Sequence, residues 1–458
     1  MTIRLHMDDT MNRLVETIVR HGGRCLLAGG GVIDTIRGRA VTDWDIEVYG
    51  LPYAALTDSL CGDGYRCDLV GKSFGIVKTR AGEHDVDFSI PRRENRVGAG
   101  HRGFAVDLEP GLDVRDASRR RDLTINAMYI DLHTGELIDC WGGRDDLEQG
   151  LLRAVDPATF VEDPLRVLRI MQLLPRKGRT VDPGTVGLCR SMAGEFGDLA
   201  RERVHGEWRK LLMLAERPSP GLEFLRECGW IAHFPELASM IGCPQKPKWH
   251  PEGDVWTHTM LAVDAGAAVR DRIPPDWREA FMFGILLHDT GKPATTDAGL
   301  SSKGHATEGE KLARTFMRRM TTDRKLITNV AAIVREHMNP WQLHKSGAKE
   351  SAWRRLHNRV RLDILGWVTR SDDGGRTGRP DGTPHSPSDM AFAYAETFGA
   401  EPIRPVLLGR HLIAAGYRPG PEFTAMLDRA YQYQMETGCT DTGTLLRVAA
   451  QNSPPESG

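Results

Sequence analysis

Three glycines followed by an Asp-x-Asp pair are the first residues of this chain whose types and spacing could do chemistry. The segment AGGGVIDTIRGRAVTDWDIEVYG, residues 28–50, leaves an apolar stretch at Gly29, Gly30 and Gly31 and returns with Asp43 and Asp45. Glycines let a backbone approach a phosphate closely and leave amides to donate to its oxygens. The Gly-Lys-Ser/Thr ending of a P-loop is absent, and no dinucleotide-binding unit follows, so neither of those uses applies. On a strand, Asp43 and Asp45 point to one face. That geometry suits magnesium, which takes carboxylate and phosphate oxygens. The later HDVDFSI offers Asp85 or Asp87 as a third carboxylate. Such acids around two ions can activate a hydroxyl and neutralise a leaving pyrophosphate. An isolated Asp-x-Asp fits a surface calcium loop equally well; the glycine turn and the second acidic strand favour magnesium.

A second set lies in the other half of the chain: His258, then His288 and Asp289 in ILLHDTGKP, then His305, His337 and Asp372. A lone helical histidine is most often a core or surface group. An imidazole and a carboxylate side by side at the mouth of a helix make a divalent-metal site instead. Lys292 follows them as a point charge for phosphate.

These groups need elements to hold them. Residues 11–21 read as a helix and CLLAGG as a short buried strand, with WDIEVYG, FGIVKTR and HDVDFSI as further strands of a mixed sheet. NAMYIDLHTGELIDC reads as a hairpin turning at His133–Gly135. From Glu162 the apolar residues fall three or four apart, in PLRVLRIMQLL, RERVHGEWRKLLMLA and PGLEFLRECGW, which predicts helices. A third, helical unit begins near His250, and SDDGGRTGRPDGTPHSPSD at 371–389 reads as a loop before a helical tail.

The chain has 458 residues, 40% of them apolar, enough for about three domains. Eight cysteines without a CxxC pair suggest neither a disulfide framework nor a zinc ribbon. A reducing, cytoplasmic setting fits best. No run approaches the length of a bilayer span, so no membrane partner is expected. A net charge of −2 gives no general case for nucleic acid. Local fields can still form at the basic runs SRRRDL (118–123), LLPRKGR (173–179) and RRLHNRVR (354–361).

The motifs GG-x-x-x-D, D-x-D, RRDLTINAMYID (120–131) and VEDPLRVLRIMQLL (161–174), in this order, resemble the bacterial-type tRNA nucleotidyltransferase and poly(A) polymerase family. The resemblance implies an α+β protein: a mixed-sheet catalytic head (1–155), a helical nucleotide-selecting neck and body (156–245), an all-α HD domain (246–376) and a helical RNA-facing tail (377–458). It gives Mg2+ to Asp43 and Asp45. Because the family's third acid precedes an R-x-E element, here in IPRRE (90–94), it selects Asp87 over Asp85. It puts Gly29, Gly30, Arg120, Arg121, Asp122, Asn126 and Arg169 around the nucleotide. Asp163 and Arg166 would read the incoming base, since a carboxylate and a guanidinium together match cytosine or adenine. The Glu202, Arg203 and Glu207 set reads as a structural brace. Gly416, Pro419 and Gly420 read as a turn between tail helices. The histidine pattern resembles the HD phosphohydrolases, which implies a divalent metal (Mg, Mn, Ni, Co or Fe) on His258, His288, Asp289 and Asp372. His305 and His337 fit the versions holding more than one ion. The implied partners are CTP, ATP and a tRNA or other RNA 3′ end; a homodimer is left open.

Two departures stand out. Ile33 occupies the place of the family's arginine in GG-x-V-R-D, and Gln172 and Leu173 close the helix motif in place of Arg-Phe. Both remove a cation, and Arg37 is the nearest substitute. The expected activity is C-C-A addition. A poly(A) polymerase or a one-base enzyme uses the same acids, and an HD phosphohydrolase with a degraded transferase half is the reading from another class.

Overall fold

The computed structural model describes residues 3, 5–69, 75–96, 104–377 and 386–451. Two compact units result: Met1–Ala215 with Pro220–His233, and Glu216–Ser219 with Phe234–Gly458.

The first unit carries the strands β1 (Arg24–Ala28), β2 (Trp44–Tyr49), β3 (Cys67–Asp68), β4 (Ile76–Ala81), β5 (His84–Ser89), β6 (Arg92–Arg96), β7 (Phe104–Leu108), β8 (Met128–Asp131) and β9 (Leu137–Asp139). Its helices are α1 (Asp9–Arg20), α2 (Gly30–Ile36), α3 (Tyr53–Gly62), α4 (Val114–Arg119), α5 (Gly143–Gln149), α6 (Pro157–Phe160), α7 (Leu165–Lys177), α8 (Pro183–Ser191) and α9 (Arg201–Leu214). Seven strands make one sheet in the order β3-β4-β5-β2-β1-β8-β9, while β6 and β7 pair separately. Within that sheet β2 and β5 run parallel and the other pairs antiparallel. The sheet is therefore mixed, as the sequence predicts.

Burial explains the arrangement. Asp8 caps α1 by accepting from the Met11 amide at 2.8 Å, and the helix then buries Met11, Leu14, Val15 and Ile18 on one face. Each such side chain contributes roughly 1.5–3 kcal/mol when removed from water. α7 buries Leu165, Val167, Leu168, Ile170 and Met171 and packs along α9, whose Trp208 is fully buried.

The second unit is helical. Apart from Ser219, α10 (Ser219–Glu227) belongs to the first unit; the second contains α11 (Pro235–Ala238), α12 (Val255–Val269), α13 (Arg278–Leu287), α14 (Lys292–Thr295), α15 (His305–Met320) and α16 (Arg324–Glu336). It continues through α17 (Asn339–Lys345), α18 (Glu350–His357), α19 (Leu362–Gly374), α20 (Ser386–Phe398), α21 (Gly409–Ala414), α22 (Glu422–Thr437) and α23 (Thr442–Ala450). Asp254 caps α12 through the Thr257 amide at 2.9 Å. The last three helices close a small core of Leu407, Leu412, Met426, Ala430 and Leu445. The loop expected at 371–389 is shorter at both ends: α19 runs through Asp372 and Asp373, α20 begins at Ser386, and 378–385 lie outside the described residues. Among the described residues no helix is long and apolar enough to cross a membrane.

Candidate functional site

Asp43 stands just before β2 and Asp45 on it. In the parallel pairing of β2 with β5, Asp45 is in register with Asp87. Asp85 is in register with Arg80 and its side chain is 89% exposed, which separates it from Asp45. Lys78 Nζ meets Asp87 Oδ2 at 2.6 Å. Burial pushes the Asp45 carboxyl up from its ordinary value, and Asp87 and Asp43 push it further, against the pull of Arg121 and Lys78. Acids that repel one another in this way are the donor set a hard divalent cation relieves.

Gly29, between β1 and α2, holds φ at +63°, a region other residues rarely adopt. A Cβ there would stand 3.7 Å from Asp45 Oδ2 and 3.8 Å from Arg121 Nη1. The glycine turn thus brings bare backbone beside a carboxylate and a guanidinium. A cavity of about 310 Å³ opens at this point, lined by Gly29, Gly30, Asp45, Arg92, Arg120, Arg121, Asp122, Asn126, Asp163, Arg166, Arg169 and Arg203. Such a space, rich in guanidinium groups, is suited to a phosphorylated ligand.

Two buried acids hold those arginines in place. Glu47, fully buried and on the Asp45 side of β2, meets Arg120 at 2.7 Å and Arg121 at 3.9 Å. Burial works to protonate Glu47, but Arg120 and Arg121 outweigh it and hold the group below the usual carboxylate range. Asp122 accepts from Arg169 Nε at 2.6 Å and Asn126 Nδ2 at 2.9 Å. The sequence reading omitted Glu47, although the period of a strand puts it on one face with Asp45.

Asp163 precedes α7 and does not pair with Arg166 in the way two residues on one helical face would. Its Oδ1 accepts from the Leu165 amide at 3.0 Å, and its Oδ2 from Arg203 Nη2 at 3.0 Å. Arg166 spends donors on the carbonyls of Thr159 at 2.6 Å and Arg120 at 2.5 Å. Arg203, read from sequence as part of a brace, is a cavity residue. Arg37 is not: it donates to the Lys177 carbonyl at 2.8 Å, capping the end of α7, and lies outside the cavity lining. Arg37 therefore does not stand in for the missing charge at the cavity. Ile33 packs in the core, and the buried Gln172 accepts from Arg176.

In the second unit, α12 supplies His258, the end of α13 supplies His288 and Asp289, the start of α15 supplies His305, the end of α16 supplies His337, and α19 supplies Asp372. They form two triads: His258, His288 and Asp372; and Asp289, His305 and His337. Asp289 also links them, with His288 Nε2 at 3.2 Å and His305 Nε2 at 3.6 Å. The Nδ1 atoms of His288, His305 and His337 meet the carbonyls of Ile285, Ser302 and Val334 at 2.7, 2.7 and 2.8 Å. Those partners fix the tautomer and leave Nε2 as a lone pair aimed at the centre. His305 Nε2 and His337 Nε2 then face each other at 3.2 Å as two acceptors, since each ring donates through Nδ1. A cation between such lone pairs turns repulsion into bonding, and the buried His288 Nε2, 3.2 Å from Asp289 Oδ2, faces the same centre. The donor set fits a divalent-metal site. His258 Nδ1 meets Glu252 Oε1 at 2.8 Å, a carboxylate behind a histidine that the sequence reading missed. Lys292, expected to face phosphate, is held by Asp289 Oδ2 at 2.6 Å and Gln245 Oε1 at 2.7 Å.

Residues 25–153 match the Poly A polymerase head domain, 178–241 the probable RNA and SrmB-binding site of polymerase A, and 255–372 the HD domain. The multifunctional CCA protein of Alkalilimnicola ehrlichii is 34% identical over 425 residues, 88% of this chain and 98% of that protein. The multifunctional CCA protein of Leptothrix cholodnii is 37% identical over 336 residues, 72% of this chain and 75% of that one. Among solved structures, the Bacillus stearothermophilus CCA-adding enzyme in complex with CTP shares the fold with a TM-score of 0.67 at 18% identity, covering 97% of this chain and 98% of that one. The Thermotoga maritima CCA-adding enzyme complexed with tRNA does so with a TM-score of 0.60 at 18% identity, covering 97% of this chain and 96% of that one. This chain belongs to the bacterial-type CCA-adding and poly(A) polymerase family, a template-independent nucleotidyltransferase joined to an HD phosphohydrolase domain.

Proposed function

We propose that the protein completes the 3′ end of tRNA by adding C, C and A from CTP and ATP. The observation that carries the reading is the register of Asp45 with Asp87, beside the Gly29 turn and at the edge of the arginine-lined cavity. Asp43 and Asp45, with Asp87 as third acid, would hold magnesium, which when bound favours ionisation of the RNA 3′-hydroxyl and neutralises the departing pyrophosphate. Arg120 and Arg121, fixed by Glu47, bind triphosphate oxygens. Asn126 and Arg169, ordered around Asp122, bind the sugar and phosphates.

Base choice falls to Asp163 with Arg166 and Arg203. Cytosine and adenine each present an amino donor beside a ring-nitrogen acceptor, and a carboxylate with a guanidinium complements that pair; the carbonyl oxygens of guanine and uracil meet the carboxylate unfavourably. The HD half is proposed to hydrolyse phosphomonoesters or cyclic phosphodiesters at RNA ends, supported by its two linked triads. The unpaired state of all eight cysteines suits a reducing, cytoplasmic setting.

The test incubates the full chain and its Asp45→Asn variant with magnesium and tRNA ending before C-C-A, giving CTP and ATP separately and together. Ordered addition of C, C and A, lost in the variant, is expected. A long A tail, one base type only, or no extension of intact tRNA would overturn the reading.

A further inference from the structure

Three basic runs stand out in the sequence, and the structure treats them differently. In the run 118–123, Arg119 pairs with Asp156 at 2.9 Å and Arg120 with Glu47 at 2.7 Å. In the run 354–361, Arg354 pairs with Glu350, Arg355 with Glu436, Arg359 with Glu336 and Arg361 with Asp363. Both runs are neutralised from within. The third, 173–179, is not: Lys177 takes Asp34 at 2.8 Å, while Arg179 has no carboxylate within 4 Å among the described residues.

Folding gathers more cations around it. The end of α7 meets Arg37 just beyond α2, and α5 brings Arg144 to the same place. A surface concavity of about 420 Å³ is lined there by Ile3, Thr35, Ile36, Arg37, Arg144, Leu147, Glu148 and Arg179. Desolvation weakens the hold of Arg37 on its proton, and repulsion from the nearby Arg39 and Arg179 adds to it, against the attraction of Asp34. Like Arg179, Arg37 and Arg39 have no carboxylate within 4 Å among the described residues. The two acids nearby are engaged, Asp34 by Lys177 at 2.8 Å and Glu148 by Arg144 at 3.0 Å. Cations that outnumber the acids beside them, as here, are stabilised by an anion that fits among them.

The position says which anion. α2 begins at Gly30, which lines the nucleotide cavity, and ends beside Arg37. Seven helical residues span about 10 Å, a distance a short stretch of nucleic-acid backbone covers. We propose that the concavity between α2, α5 and the end of α7, with Arg37, Arg39 and Arg179 around it, docks the phosphate backbone of the RNA whose 3′ end is being extended. The inference rests on the reading of RNA as the acceptor. It gives the run 173–179 a task that the nucleotide cavity does not absorb.

The experiment uses the full chain with Arg39→Gln and Arg179→Gln combined, substitutions that keep an aliphatic stem and remove the charge. Arg179 needs that stem, because its Cγ packs against the Gly150 position. Thermal melting checks that the variant folds as the wild type does. Binding of tRNA without its C-C-A end is measured between low and moderate salt, and CTP binding separately. Removing one cation from a phosphate lowers the slope of log K against log salt by about 0.7–0.9. The double variant is therefore expected to have a slope shallower by about 1.4–1.8 and to bind tRNA about 10-fold or more weakly, with CTP affinity unchanged. An unchanged slope in a folded variant overturns the proposal. So does weaker CTP binding with unchanged tRNA binding, which would assign the cluster to the triphosphate. A wild type that binds tRNA with a steep slope but does not extend it overturns the proposed function alone, and the slope of the variant still judges the docking site. A wild type that does not bind tRNA overturns both.

Discussion

Arg203 donates to Asp163 across 3.0 Å, joining the carboxylate that precedes α7 to a helix 40 residues further along the chain. The bond fixes where the Asp163 carboxylate points inside the cavity. A charged hydrogen bond of this type contributes about 1.5–3 kcal/mol, so Arg203→Ala is expected to lower kcat/KM for CTP by about 10- to 100-fold. Incorporation of UTP should fall less, because on the proposed function the carboxylate that Arg203 orients is the one that chooses the base. Arg203→Lys should recover little, since an ammonium does not reproduce the planar fork. Single-turnover incorporation of CTP, ATP and UTP into tRNA checks this; an equal fall for all three would remove Arg203 from base choice.

Asp122 carries a pH dependence of known sign. Burial pushes its carboxyl up, but Arg169 and the Asn126 amide outweigh burial and hold it well below the ordinary carboxylate value. A depressed folded-state value contributes stability that is complete above the unfolded value, about 3.9, and is lost as pH falls through the folded one. Asp122→Asn leaves Arg169 facing a neutral amide, and breaking a buried pair costs about 3–5 kcal/mol. Urea unfolding of wild type and variant is expected to differ by about that amount at pH 7, and the gap should narrow as pH drops below about 4. A gap that stays constant down to about pH 3 would show that the Asp122 charge is not the source of the difference.

Some of this was legible because a strand repeats every two residues. β2 and β5, whose alternation was readable in the sequence, bring Asp45 into register with Asp87, and the same period would have added Glu47. The histidines of the second unit were legible because four helices deliver them at motif spacing. Arg203 was not, because its meeting with Asp163 depends on how α9 lies along α7, and no local pattern encodes that. Arg37 falls outside the cavity because α2 carries it to the end away from Gly30, where it meets the last carbonyls of α7. The start of the expected loop failed at Ser371–Asp373 for a different reason: Asp372 is buried at the metal site, so a carboxylate occupies a place where periodicity looks for an apolar residue.

Glu252 stands behind His258, its Oε1 at 2.8 Å from His258 Nδ1 and 2.9 Å from His250 Nδ1. A carboxylate there orients the ring and raises its basicity as a ligand, and removing such a partner typically costs about 10- to 100-fold in metal affinity. Glu252→Gln is expected to weaken binding of Mn2+ or Ni2+ to the full chain by about that factor, measured by competition with a chelator. The far-UV spectrum should not change. Unaltered affinity in a folded variant would make Glu252 a packing residue only.

Asp289 belongs to one triad and reaches His288 of the other, and this predicts a particular pattern of metal loss. His258, His288 and Asp372 form one group and His305, His337 and Asp289 the other, with Asp289 also 3.2 Å from His288 Nε2. If each triad holds one ion, the full chain binds two at saturation. His305→Ala removes a ligand from one triad and should leave about one ion with near-normal affinity. His258→Ala should do the same from the other side. Asp289→Ala deprives both, so affinity at both positions should fall. Ligand binding that favours the folded state adds stability by mass action, about 2.7 kcal/mol at 100 times Kd; saturating metal should raise the melting temperature of the wild type, raise it less for either histidine variant and least for Asp289→Ala. Native mass spectrometry gives the ion count and thermal melting the energy. One ion in the wild type, lost in full by either histidine variant, would mean that the six side chains serve a single centre.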